Sequence, residues 1–404
     1  MKQHPNITPT RGVSRRSILA ATTLSALSRA RGANDRIAVG LIGVGGRGTY
    51  NLQEIKKCTS NVAVTAICDV YRQNRERAAA LASEAWGGTP RLTADYRELL
   101  SWKDVDAVVI STPDFGHSRI LQHAVEAGKD VYCEKPMGID FEEAKSAYLS
   151  VKRSGCIVQV GTQWRSDGYN MAAAKLVQSG VLGTITRIDL AVNFQEPRWR
   201  RDYSKVKPED VDWKRFLMHR RDRPFDARQF MEWQLFRDYT NGIAGLWMCH
   251  YINLVHWMMQ DPYPASAVAS GGVYLWKDGR QTSDVFQALF SYPKGFHVSF
   301  EMSLTNESAD RNLWFGTRGV LDLDAKIISG MGSKRPDKLA GQTRIEAELT
   351  TSHMQDFLDC IRTRRAPRSD VQAGFSHAVA GCMATAAMET GRTVRFDPQK
   401  LAIL

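Results

Sequence analysis

The sequence predicts an α/β protein of two domains. A parallel sheet wound with helices on both faces comes first, and an α/β domain with a large open, mostly antiparallel sheet follows. Three observations predict it. Apolar runs alternate with helical segments from Ile37 to Val160, the pattern of parallel strands joined by crossovers. The alternation stops near Gly161, and four strand-like runs then follow one another between Ala265 and Leu323. The length of 404 residues, 43% hydrophobic and 24% charged, suits two ordinary cores.

Residues 1–33 read as a leader. They hold Lys2, Arg11, Arg15, Arg16, Arg29 and Arg31 and no acidic residue, over half of the net charge of +11. Ser14-Arg15-Arg16-Ser17-Ile18-Leu19 is a twin-arginine pattern. The apolar stretch Ile18 to Leu27 after it is too short to span a bilayer, and small residues from Ala26 to Ala33 offer cleavage sites. A disordered basic tail is the alternative. The expected location is the periplasm or another exported compartment, reached by the twin-arginine machinery, which carries folded proteins. No later stretch has the length and apolarity of a membrane span, and no basic run interleaved with aromatics points to nucleic acid. Seven cysteines without a C-x-x-C pair suggest neither a disulfide framework nor a metal site.

Residues 34–160 read as a Rossmann domain. Ile37 to Ile42 is a strand buried on both faces, and Gly43-Val44-Gly45-Gly46-Arg47-Gly48 is a G-x-G-x-x-G turn into the helix Thr49 to Cys58. Gly43 allows the tight turn, Gly45 lets a pyrophosphate approach the backbone, and Gly48 lets helix and strand pack closely. Gly46 and Arg47 flank the phosphate path. The helix N-terminus offers free N–H groups to an anion. A second strand, Val62 to Cys68, ends at Asp69, whose carboxylate would accept from ribose hydroxyls and repel a 2′-phosphate. The expected cofactor is therefore NAD, with NADP less favoured, although Arg72 could serve a phosphate. Asp69 could equally cap the helix beginning near Tyr71.

A charged helix from Arg72 to Ala85 and a short one from Asp95 to Leu100 come next. The strand Val105 to Ile110 ends in Ser111-Thr112-Pro113-Asp114-Phe115-Gly116-His117, a loop where such sheets place ligands. A helix from Arg119 to Ala127 leads to the strand Asp130 to Cys133 and then Glu134-Lys135-Pro136. A charged pair followed by proline after a strand is an active-site loop pattern. The helix Asp140 to Ser154 and the strand Ile157 to Val160 close the domain at Gly161-Thr162-Gln163. Thr112, Pro113, His117, Glu134, Lys135 and Gln163 join the glycine turn and Asp69 as the expected cofactor contacts.

Residues 161–404 read as the substrate and oligomerisation domain. It opens with a helix, Tyr169 to Ser179, and a strand, Ile185 to Phe194. Pro197 to Arg237, rich in Trp, Arg, Asp and Phe, reads as surface structure over a cleft. Gly242 to Met259 is helical. The runs Ala265–Leu275, Asp284–Tyr292, Phe296–Leu304 and Arg311–Leu323 read as strands, Gly330 to Ala347 as a loop, and His353–Arg362 and Gly374–Thr390 as helices.

The glycine fingerprint, Ser111-Thr112-Pro113 with His117, Glu134-Lys135-Pro136, and a helical His250 follow in an order that resembles the Gfo/Idh/MocA oxidoreductases. The leader and Phe357-Leu358-Asp359-Cys360-Ile361-Arg362 look like that family's exported branch. The resemblance implies hydride exchange between nicotinamide and a sugar or polyol carbon. It also implies a homo-oligomer formed through the second sheet. Lys135 matches the lysine that hydrogen-bonds the reacting hydroxyl, and His250 its partner in proton transfer. Gln163, Trp164 and Arg165 would border nicotinamide and substrate, and Asn253 shares the helix face of His250. Leu246 stands where the family commonly has an aspartate one turn before this histidine, so Asp238 or Asp212 would have to orient the imidazole, or the proton chemistry differs. One alternative resembles the family 109 glycoside hydrolases, which act on a glycoside by transient oxidation and elimination on bound NAD. Another is a nucleotide-binding scaffold without catalysis.

Overall fold

A computed structural model describes residues 36–404. The twin-arginine pattern and the rest of the leader lie outside the described residues. Six strands form the first sheet: β1 (Ile37–Ile42), β2 (Val62–Cys68), β3 (Arg91–Thr93), β4 (Ala107–Ile110), β5 (Asp130–Cys133) and β6 (Val158–Val160). Their order is β3-β2-β1-β4-β5-β6 and every pairing is parallel, the Rossmann arrangement. β3 has no counterpart in the sequence reading, because an edge strand of Arg-Leu-Thr carries no apolar run.

The glycine turn shows why its residues lack side chains. Gly43 has φ +83°, and a Cβ there would lie 2.8 Å from the Ser111 backbone. A Cβ on Gly48 would stand 2.0 Å from the Gly43 carbonyl oxygen. Helix Gly46–Lys56 can start only against that bare backbone.

The second sheet has ten strands. They are β7 (Ile185–Asn193), β8 (Ser266–Gly272), β9 (Val285–Tyr292), β10 (Phe296–Ser303), β11 (Arg311–Gly316), β12 (Gly319–Asp322), β13 (Ile327–Ser329), β14 (Gln342–Arg344), β15 (Val394–Asp397) and β16 (Ala402–Ile403). Their order is β14-β13-β12-β11-β7-β10-β9-β8-β15-β16, antiparallel except where β10 lies parallel to β7. Two expectations change here. Arg311 to Leu323 is not one strand but the β11–β12 hairpin, turned at Thr317 and Arg318. The expected loop Gly330 to Ala347 contains β14, a polar edge strand.

Residues 197–237 are also more than a surface cover. Short helices Trp213–Leu217 and Ala227–Met231 gather Phe216, Phe230, Leu235 and Tyr239 around Tyr71 and Phe115 of the first domain. Turns this short leave no period to read, but their aromatic side chains build a core.

The chain then ties the two sheets together. Helix His353–Thr363, which the sequence reading places with the second domain, packs Met354, Phe357, Leu358 and Ile361 against the first sheet. Helix Val371–Thr390 packs against β6 and helix Phe141–Arg153 on one side and against β8 on the other. Its C-cap Gly391 has φ +66°, in the left-handed region that closes helices. Among the described residues no helix is long and apolar enough to cross a membrane.

Candidate active site

A cleft of about 1770 Å³ lies at the carboxyl ends of β1 and β4, where the strand order reverses. One wall is the glycine turn with the loops after β2, β4 and β5. The other is the helix that runs from a π turn, Ala244–Met248, into Cys249–Met259.

The glycine-turn side fits a dinucleotide. Gly45 caps helix Gly46–Lys56 with no side-chain bond to its N–H groups. A Cβ on Gly45 would meet only Asn74 Nδ2, at 3.9 Å, and one on Gly46 would meet nothing within 4 Å. The first helical N–H groups therefore face open cleft, as pyrophosphate binding requires. Asp69 lines the same side. Its Oδ1 accepts from Tyr71 N (2.8 Å) and its Oδ2 from Val44 N (2.7 Å), tying the end of β2 to the turn. Burial raises its pKa above the usual carboxylate value, and the two N–H donors oppose that rise. Arg72 is committed elsewhere, in an ion pair with Asp210.

Glu134 is the hub beneath the turn. It is 3% exposed. Its Oε1 accepts from Arg47 Nε (2.8 Å), Asn51 Nδ2 (3.0 Å) and Gln163 Nε2 (3.2 Å). Gln163 Nε2 also donates to the Tyr132 hydroxyl (2.8 Å). One buried carboxylate thus fixes the glycine turn, its helix and the residue after β6. Asn51 and Tyr132 were not among the expected site residues, since neither belongs to a motif. His117 does not reach into the cleft with a free nitrogen. Its Nδ1 lies 2.7 Å from the Pro136 carbonyl oxygen and its Nε2 2.8 Å from that of Thr112, so the ring staples the loop after β4 to the loop after β5. Thr112 and Pro113 line the cleft beside it, whereas Gly48 does not and acts through packing.

Lys135 and His250 meet across the cleft. Lys135 Nζ donates to the carbonyl oxygen of Leu246, at 2.8 Å, within the π turn. Single π turns recur at functional sites because they displace carbonyls from the helical ladder. His250 follows one turn later. Its ring tilts against Trp164 at a centroid distance of 4.9 Å and meets Trp247 edge-on at 6.4 Å. Its Nδ1 is buried without a hydrogen-bond partner among the described residues. Burial first, then the charges of Lys135 and Arg47, hold the imidazole pKa well below its ordinary value, so the ring is neutral at physiological pH. Neither expected substitute carboxylate serves it: Asp238 pairs with Arg223, and Asp212 caps helix Trp213–Leu217 and pairs with Arg215. Trp247 in turn meets Phe194 at a tilt, centroids 5.3 Å apart, and the Arg198 guanidinium lies over both rings.

Two expected substrate contacts are corrected. Arg165 and Asn253 do not line the cleft. Arg165 Nε donates to Asn253 Oδ1 (2.7 Å), and Asn253 Nδ2 donates to the Ala373 carbonyl oxygen (3.0 Å). They lock the loop after β6 to the helix wall and to helix Val371–Thr390. Desolvation pushes the Arg165 guanidinium down to about 10. The i, i+3 spacing of His250 and Asn253 was sound as helix geometry, but the face turns from cleft to domain interior within that interval.

Residues 37–162 match the profile of an oxidoreductase family with an NAD-binding Rossmann fold, and residues 215–322 match the GFO/IDH/MocA C-terminal domain. An inositol 2-dehydrogenase/D-chiro-inositol 3-dehydrogenase of Lactiplantibacillus plantarum is 28% identical over 226 residues, 56% of this chain and 53% of that protein. A scyllo-inositol 2-dehydrogenase (NAD(+)) of Bacillus subtilis is 24% identical over 377 residues, 90% of this chain and 98% of that protein. The chain spans about half the length of the first curated relatives it matches. Among solved structures, the aldose-aldose oxidoreductase of Caulobacter crescentus in complex with glycerol superposes with a TM-score of 0.68 at 16% identity, covering 90% of this chain and 100% of that one, a likeness of fold.

Proposed function

The chain belongs to the Gfo/Idh/MocA oxidoreductase family, and on that premise we propose that it exchanges a hydride between NAD and a CH–OH carbon of a sugar or polyol. The observation that carries this reading is the pairing, across one cleft, of the Lys135 amine with the neutral His250 imidazole. Bound NAD supplies the hydride acceptor. The Lys135 ammonium holds the substrate hydroxyl through an N–H and stabilises the negative charge that develops on its oxygen as the C–H bond breaks. His250, uncharged and flanked by Trp164, is the base that takes the hydroxyl proton. Trp164 and Trp247 offer flat apolar faces to a sugar ring. The inositol dehydrogenases among the relatives support the substrate class.

The purified full chain, supplied with NAD and a panel of inositols, aldoses and nitrophenyl glycosides, tests the reading. Net NADH without aglycone release is the expected result. Aglycone release without net NADH would replace it by the oxidation–elimination reading.

The same proposal covers cofactor choice, assembly and location. Asp69 favours NAD, so Asp69→Ala should weaken NAD binding by about tenfold and narrow its margin over NADP, read by titration. On the open face of the second sheet, Val268 and Leu289 are exposed and directly opposed on β8 and β9, which suits contact with a second copy. Light scattering of Leu289→Asp should show a smaller particle. Export by the twin-arginine route rests on Arg15 and Arg16, and replacing both by Lys should leave precursor in the cytoplasm.

A further inference from the structure

The turn from Glu196 to Asp202 borders the cleft, and the function proposed so far leaves it unused. Arg198, Trp199 and Arg201 line the cleft from it. Trp199 has φ +69°, in the left-handed region that a bulky side chain rarely adopts. Such a conformation persists only where the surroundings impose it. Here a buried carboxylate does so. Glu232, 3% exposed, accepts from Arg201 N at 2.8 Å and from Arg228 Nε at 2.8 Å. Arg228 in turn donates to the Asp278 carbonyl oxygen. Trp199 itself packs between the main core and the aromatic cluster around Tyr71. The turn is a built piece of the cleft and not a loose basic fringe.

Its charges are unbalanced toward the cleft. The Arg198 guanidinium lies 4.3 Å from the Phe194 ring centre and 5.1 Å from that of Trp247, whose ring also meets His250 at 6.4 Å. The proton-accepting imidazole and this guanidinium are thus one indole apart. Arg198 Nη1 pairs with Glu196 at 2.9 Å, but Glu196 is half-exposed and does not line the cleft, so water screens that pair. Arg201 donates from Nη1 to the Arg200 carbonyl oxygen at 2.8 Å and has no carboxylate partner among the described residues. Asp202, the acidic residue of this turn that lines the cleft, accepts from Ser204 N at 2.9 Å, with Lys205 as the cation acting on it. Lys214 and Arg215 stand elsewhere. Val211 bridges Tyr71 and Asp212 N donates to the Val70 carbonyl oxygen, so that stretch borders the nucleotide end of the cleft, near Asp69.

A neutral sugar held at His250 would displace water from Arg198 and offer it hydroxyl oxygens only. Removing a charge from water without a counter-charge is unfavourable. The planar fork of a guanidinium matches the paired oxygens of a carboxylate or phosphate, and such charge-assisted bonds are the strong ones.

We propose that the substrate is a sugar or polyol carrying an anionic group, a carboxylate or a phosphate, which Arg198 and Arg201 receive while the reacting hydroxyl meets Lys135 and His250. This deepens the oxidoreductase reading and rests on it for the place of the hydroxyl. The anion subsite rests on the turn alone.

Binding and turnover are tested separately on the full chain. Saturated with NADH, so that no oxidation occurs, the protein is titrated calorimetrically with matched neutral and anionic sugars. The pairs are glucose and glucuronate, galactose and galacturonate, glucose and glucose 6-phosphate, and myo-inositol and its 1-phosphate. At least one anionic member should bind about tenfold or more tightly than its neutral partner, and the margin should shrink as salt is raised. Which pair shows it tells carboxylate from phosphate. Arg198→Gln should cut the margin at least fivefold, and Arg198→Lys, which keeps the charge but loses the fork, should cut it less. Arg201→Gln should act in the same direction by a smaller factor. In the turnover arm, Arg198→Gln should raise KM for the anionic substrate at least tenfold while changing kcat far less.

No tighter binding of the anionic member in any pair, or a margin that survives both glutamine substitutions, would overturn the proposal. The oxidoreductase reading would then stand wherever NADH forms from NAD. A margin that Arg198→Gln abolishes, with no NADH from any sugar, would support the subsite and count against the oxidoreductase reading alone.

Discussion

The two walls of the cleft are built on different terms. On the glycine-turn wall, polar side chains are tied to one another before any ligand arrives: Glu134 accepts from Arg47, Asn51, Gln163 and Tyr132, and His117 bridges two carbonyls. On the helix wall, the amine of Lys135 rests on a main-chain carbonyl and His250 keeps a buried nitrogen without a partner among the described residues. The first wall needs one fixed shape, because the phosphates and ribose of a dinucleotide never change during the reaction. The second must let a proton move, and a fully satisfied network would resist that.

Four changes test this contrast, taken from the largest effect to the smallest. Lys135→Ala should strip the reacting end of the cleft of its chemistry and leave the glycine turn intact. A loss of roughly 10²–10⁴ in kcat with NAD binding preserved is expected from steady-state rates and a binding titration. Equal loss of both would erase the distinction between the walls.

Acid should act next, through histidines buried where the two sheets meet. Loss of hydration holds His353 down to about 4 and His377 down to about 3. These folded values lie below that of a free imidazole, so the unfolded chain binds protons first as pH falls. The stability they contribute is present above about pH 6.5 and is lost progressively below it. At pH 5 the cost is about 2 kcal/mol for each histidine. Asp69 and Asp114, raised by burial, act in the opposite sense at lower pH. Urea midpoints at pH 7.5 and pH 5 should show the fall, and a flat profile would mean these histidines are hydrated.

Glu134→Gln should loosen the glycine-turn wall. Arg47 and Asn51 lose a charged acceptor, at a cost of about 2 kcal/mol in stability and a weaker hold on NAD. Calorimetric melting with and without nucleotide separates the two effects. The smallest change is within the turn. Gly48→Ala should cost about 1–3 kcal/mol, because its Cβ meets the Gly43 carbonyl oxygen, whereas Gly46→Ala meets nothing and should be neutral or gain about 0.5 kcal/mol in stability. Equal melting temperatures for the two variants would contradict the packing described for the turn.

The sequence by itself determined the first sheet, the glycine turn and the loops that follow its strands. Each of those is a local constraint: a positive φ at Gly43, a close approach at Gly48, an apolar run buried on both faces. Strand and helix order followed, apart from β3, whose Arg-Leu-Thr sequence has no pattern to detect, the β11–β12 hairpin, whose turn lacks a strong signal, the short strands β13, β14 and β16, and the short helices within residues 197–237. Lys135 and His250 were legible as motif residues, although nothing in the chain says that they face each other across 115 residues.

Only the tertiary structure decided which polar groups are spent on holding the fold. Arg165 and Asn253 read as substrate contacts and are instead bound to each other, because helix Val371–Thr390 covers the face on which they sit. The partner of Lys135 is a main-chain carbonyl, which every residue possesses and no side chain announces. Backbone acceptors and long-range electrostatics carry no local pattern, and so the chemistry of the helix wall appears only once the two domains are packed together.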